Sequence, residues 1–119
     1  MSALDKIATK KAKIEFIRSQ LEKDDRWMLR GLVAIYAKQT SEEQVALQTK
    51  EHNGVGFTGV DGEILSSFAQ QVIRRDGSNK LKSAQPLTAT EFLSPKQVVI
   101  LRKKMPKYAS QLLAIASNN

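Results

Sequence analysis

The sequence predicts an all-α protein, a compact bundle of about five to six helices with a Gly-rich loop and one longer irregular loop. Three observations carry this. Apolar residues recur at helical spacing along most of the chain. Four of the six glycines fall between His52 and Gly62, so the glycine turn signal is confined to one place. No internal repeat or low-complexity tract interrupts the pattern. At 119 residues the chain is expected to form a single helical domain, residues 1–119.

The first helix is expected from about Ala3 to Lys23. Leu4, Ile7, Ile14, Ile17 and Leu21 form an apolar stripe, with Lys10, Lys11, Lys13 and Arg18 off it. Asp24 or Asp25 then caps a second helix reaching about Lys38. Its apolar face (Met28, Leu29, Leu32, Val33 and Tyr36, flanked by Trp27 and Ile35) is too broad for a surface helix, which makes it the central core helix. Thr40 with Glu43, and Ser41 with Gln44, fit the capping-box spacing, so a short third helix is expected from about Ser41 to Lys50.

The run from His52 to Gly62 reads as a loop. Asp61 can cap a fourth helix carrying Ile64, Leu65, Phe68 and Val72 on one face, and Asp76-Gly77 ends it near Arg75. From Gly77 to Leu93 the residues suggest a surface loop, and a short strand at Lys80–Ala84 is compatible with them. Ser94-Pro95-Lys96-Gln97 joins an N-cap serine, a proline at the first helical position and a glutamine at the third, the clearest helix start in the chain. Val98, Leu101 and Met105 would line its buried face. Pro106 ends or kinks that helix, and Tyr108, Leu112 and Ile115 mark a last one.

Composition excludes several functions. With no cysteine there are no disulfides, thiolate metal sites or cysteine nucleophiles. His52 is the single histidine, so a zinc site lacks partners. The acidic pairs Asp24-Asp25 and Glu42-Glu43 sit at expected helix starts, where capping and the helix dipole account for them. Ser66 and Ser67 follow Leu65 without a nucleophile elbow. The chain therefore reads as a non-enzyme with no cofactor and no metal. No apolar run approaches a membrane span, and the N-terminus lacks the apolar block of a secretory signal, so a cytoplasmic location is the expectation.

Gly54-Val55-Gly56-Phe57-Thr58-Gly59 matches G-x-G-x-x-G, but a dinucleotide site needs a strand before it and a βαβ unit around it. The segment before it reads as helix, so a tight connection using glycine for positive φ is preferred. Phe57 in this loop is either displayed as a protein-contact residue or plugged into the core.

The charge is the main functional signal. Nineteen basic and twelve acidic residues give a net charge of +7. Residues 1–60 hold ten basic and eight acidic residues, whereas residues 61–119 hold nine and four. From Phe92 onward there is no acid, against Lys96, Arg102, Lys103, Lys104 and Lys107. Such a field favours nucleic acid, an anionic membrane or an acidic protein, and ammonium groups with no nearby acid suit phosphate contacts. Arg74 and Arg75 extend the set. The bland alternative is a solvated lysine face at helix C-termini. Sequence-specific base reading is less supported, since zinc-finger, RNA-recognition and basic-zipper motifs are missing.

The run Glu63-Ile64-Leu65-Ser66-Ser67-Phe68-Ala69-Gln70-Gln71, followed by Leu93-Ser94-Pro95-Lys96-Gln97 and by Arg102 to Leu112 with its Lys107-Tyr108 pair, resembles a short helical module of bacteriophage and mobile-element accessory proteins. The resemblance implies a phage- or plasmid-type accessory protein and supplies no catalytic residue. The expected partner is nucleic acid. The alternative is a protein partner, met through the Gly-rich loop with Phe57 or through the first helix.

Overall fold

The computed structural model describes residues 9–49, 56–57 and 61–117. Every regular element among them is helical, and none is a strand. They form four long helical runs and two isolated 3-10 turns, fewer helices than the five to six expected.

Helix α1 spans Lys10–Lys23. Thr9 is its N-cap, in extended backbone, and its hydroxyl accepts from the Ala12 N–H at 3.1 Å. The expected start at Ala3 lies outside the described residues, and the described helix begins at this cap. Asp24 alone, also extended, separates α1 from α2, Asp25–Thr49. Its carboxylate accepts from the N–H groups of Arg26 (2.9 Å) and Trp27 (3.2 Å), so the predicted cap is Asp24.

α2 runs through the expected boundary at Ser41 without a break. No Gly or Pro stands between Lys38 and Gln44. Capping residues can only cap where the backbone leaves N–H groups unbonded, and here the preceding turn supplies their acceptors. The separate third helix is thereby corrected to the second half of α2.

α3 spans Asp61–Arg75 and buries Leu65, Phe68, Ala69 and Val72. Asp61, expected as the residue before the helix, is its first residue instead. The segment that follows is not a free surface loop, and the strand compatible with Lys80–Ala84 does not form. Single 3-10 turns at Lys80–Lys82 and Ala89–Glu91 drop Leu81, Ala89, Phe92 and Leu93 into the core. Asn79, at φ 57°, makes the left-handed step before the first turn, and the Asp76 carboxylate accepts from the Lys80 N–H. The Arg26 guanidinium donates to the carbonyls of Ser83 and Gln85 and so ties this segment to α2. The Asp25 carboxylate accepts from the Ala89 N–H at 2.8 Å.

α4, Pro95–Lys104, begins as its sequence dictates. Ser94 Oγ accepts from the Gln97 N–H, and Gln97 Oε1 accepts from the Ser94 N–H. A 3-10 turn over Met105–Tyr108 accommodates Pro106, and α5, Ala109–Ser117, continues directly from it. Pro106 therefore bends one long helical run rather than separating two. α3 and α4 lie antiparallel, with Asp61 against Lys104 at one end and Gln71 against Gln97 at the other. One hydrophobic cluster collects the buried side chains of all these elements, with Leu21, Met28, Leu32, Leu101 and Met105 fully enclosed.

Candidate nucleic-acid interface

Successive residues of α4 turn by about 100°. Leu101 and Met105 face the core. The opposite ridge carries Lys96, Val99 and Lys103, all exposed, with Val99 68% accessible. Lys96 and Lys103 are two turns apart, about 10.5 Å along the axis. Neither makes a hydrogen bond or ion pair with a described residue, and the same holds for Arg74 at the end of α3.

The remaining four predicted phosphate contacts are occupied. Arg102 donates to the Glu22 carbonyl at 3.0 Å and pairs with the Asp25 carboxylate. Lys104 pairs with Asp61 at 2.9 Å, and Lys107 pairs with the same carboxylate while lying 5.4 Å from the centre of the Tyr108 ring. Arg75 donates to the Phe92 carbonyl at 3.1 Å. Three of the seven cations meet carboxylates, so the expectation of seven unneutralised cations is corrected to four, of which Arg75 is tied to a carbonyl. An acid-free stretch of sequence says nothing about acids that other elements bring to it. Here α3 delivers Asp61 and the α1–α2 junction delivers Asp25.

Asp61 is the centre of this occupied half. Its side chain is 2% accessible, and it accepts from Lys107, Lys104 and the Tyr108 hydroxyl, the last at 2.9 Å. The Lys107 and Lys104 ammonium groups, in that order, hold its carboxyl far below the usual aspartate range, against the opposing effect of burial. The same contact pushes the Lys107 ammonium up. A buried carboxylate with two cations and a phenol has its hydrogen-bonding capacity met within the fold.

Phe57 is half-buried, not displayed. Its ring stands edge-on to Tyr108, with centroids 5.5 Å apart and an angle of 86°. Two glutamines pin its backbone. Gln39 Oε1 accepts from the Phe57 N–H, while Gln111 accepts from the Gly56 N–H and donates back to the Gly56 carbonyl, each at 2.9 Å. Gly56 sits at φ +130°, and a Cβ there would lie 2.7 Å from Gln39 Oε1. Glycine is required at this position for backbone geometry. The rest of the glycine motif, and His52, lie outside the described residues. Sequence reasoning missed Asp61, Arg26, Gln39 and Gln111 as organisers. For Gln111 there was a signal, since it stands between Tyr108 and Leu112 of an otherwise apolar stripe.

Among the described residues no group of three or more acidic or histidine side chains is placed to hold a metal ion. No described helix is long and apolar enough to cross a membrane. No protein-family model, curated protein or solved structure matches the chain.

Proposed function

We propose that this chain is a non-catalytic, nucleic-acid-binding accessory protein of phage or plasmid type that grips phosphates through the outward ridge of α4. The observation that carries this reading is the pair of exposed, unpaired lysines Lys96 and Lys103 on that ridge, in a chain of net charge +7. Arg74 adds a third cation from α3. Contacts of this kind bind the backbone without reading sequence, and each releases condensed counterions. Arg75, Arg102, Lys104 and Lys107 hold the ridge in place and contribute little to binding.

The test is fluorescence anisotropy with labelled single- and double-stranded DNA and RNA at two salt concentrations. The double variant Lys96→Glu/Lys103→Glu is measured beside the native chain. The expected result is affinity that weakens with salt and is lowered about ten-fold or more in the double variant. Binding that is absent at low salt, indifferent to salt, or equal in the double variant overturns the reading.

A further inference from the structure

A groove of about 340 Å³ lies between α1, α2 and α5, away from the lysine ridge. Its walls are Ile17 from α1, Trp27 and Ala34 from α2, and Leu112 and Ile115 from α5, with Arg30 beside them. The volume falls at the lower end of the range of small-molecule sites, and the lining matches their usual make-up, apolar walls with a few polar groups.

Two donors in this lining are uncommitted. Arg30 is exposed and has no hydrogen bond or ion pair with a described residue. The Trp27 indole N–H has no acceptor among the described residues, although its ring packs edge-on against Phe16 at 5.9 Å. Arg26, also at the rim, is spoken for by the carbonyls of Ser83 and Gln85. No carboxylate lines the groove. Apolar walls with one unpaired guanidinium and one free N–H complement a ligand with an apolar body and a single acidic head. The stretch of α2 that lines it, from Trp27 to Ala34, is only about 10.5 Å long. A medium-chain acyl group fits that length, and the single unpaired guanidinium with no carboxylate beside it selects one acidic head.

We infer that the α1–α2–α5 groove binds an amphipathic monocarboxylate, its tail against Ile17, Leu112 and Ile115 and its carboxylate on Arg30. Trp27 is the single tryptophan of the chain, so its emission reports directly on the site. The full chain is titrated with decanoate, 1-decanol and decyltrimethylammonium, each below its aggregation threshold. Expected is a saturable change in Trp27 emission with decanoate. The Arg30→Gln variant should weaken it about ten-fold or more. 1-Decanol should bind the native chain correspondingly more weakly and be indifferent to Arg30→Gln. Ala34→Leu, which fills the groove, should remove the saturable response while the folded far-UV spectrum is kept.

Several outcomes overturn the inference. They are no response to decanoate (as when the chain's own residues 1–8 hold the groove), equal decanoate affinity in Arg30→Gln or Ala34→Leu, and tighter binding of the cationic amphiphile. A response to an acidic amphipathic peptide with none to decanoate assigns the groove to a protein partner and likewise overturns it.

Discussion

Among the described residues Asp61 is the buried charged side chain, and it joins α3 to the α4–α5 run. Three donors from the α4–α5 run converge on one buried carboxylate, and removing its charge leaves two ammonium groups facing a weak acceptor. Because both lysines keep partial access to water, Asp61→Asn is expected to cost about 2–3 kcal/mol, near the low end for a broken buried pair, measured by urea unfolding. Its pH dependence follows from the direction of each shift. Asp61 is ionised in the fold well below the range where the unfolded chain's aspartates titrate, around pH 3.9. Its contribution is therefore intact above about pH 4 and is lost as the pH falls toward the folded value. Lys107 is shifted up, so its contribution is intact below about pH 10 and is lost as the pH rises through the folded value. Melting temperatures of the native chain and Asp61→Asn should differ near neutrality and converge in acid. Parallel acid limbs would show that Asp61 is not the titrating group. Gly56 is a second such point. Gly56→Ala combines a φ of +130° with a close approach to Gln39 and is expected to cost about 1–3 kcal/mol.

Among the elements, α4 and the segment before it behave oppositely. The start of α4 is local: Ser94 and Gln97 satisfy each other's backbone N–H groups, and Pro95 has none to satisfy, whatever surrounds them. Ser94→Ala should lower stability by about 1 kcal/mol, seen as a lower urea midpoint at unchanged slope. Residues 77–93 have only short local devices, the Asp76 carboxylate on the Lys80 N–H and a capping box between Thr88 and Glu91. They hold their shape because Arg26 gathers their carbonyls and because Leu81, Phe92 and Leu93 are buried. Arg26→Lys should not rescue Arg26→Gln, since a single ammonium cannot span two carbonyls as the planar fork does. In both variants trypsin should cut at Lys80 and Lys82 faster than in the native chain. The run from Asp25 to Thr49 teaches the converse. Its capping-box spacing at Ser41 was legible, yet a spacing is only an opportunity, and a stretch free of Gly and Pro, with Glu42, Glu43 and Gln44 following, carries the backbone past it.

Across the molecule, the positive charge is divided between two tasks. Arg102, Lys104 and Lys107 fasten the α4–α5 run to α2 and α3, whereas Lys96, Lys103 and Arg74 face outward. This division sets the salt dependence of nucleic-acid binding. Three phosphate contacts correspond to a slope of about −2.7 in log affinity against log salt for duplex DNA, and seven to about −6.3. Isothermal titration over a salt series separates the two. Lys104→Gln and Lys107→Gln should lower the melting temperature and leave the slope unchanged, while Lys96→Gln and Lys103→Gln should do the reverse.

Helical character, the capped starts of α2 and α4, the apolar faces and the surplus of positive charge were all readable from the chain. Each depends on residues within a few positions of one another, or on a plain sum. The pairing of cations with Asp25 and Asp61, the anchoring of Phe57 on Tyr108 and the groove beside Trp27 were not. They join positions dozens of residues apart, and ion pairing and enclosure depend on distance in space, which helix packing alone supplies.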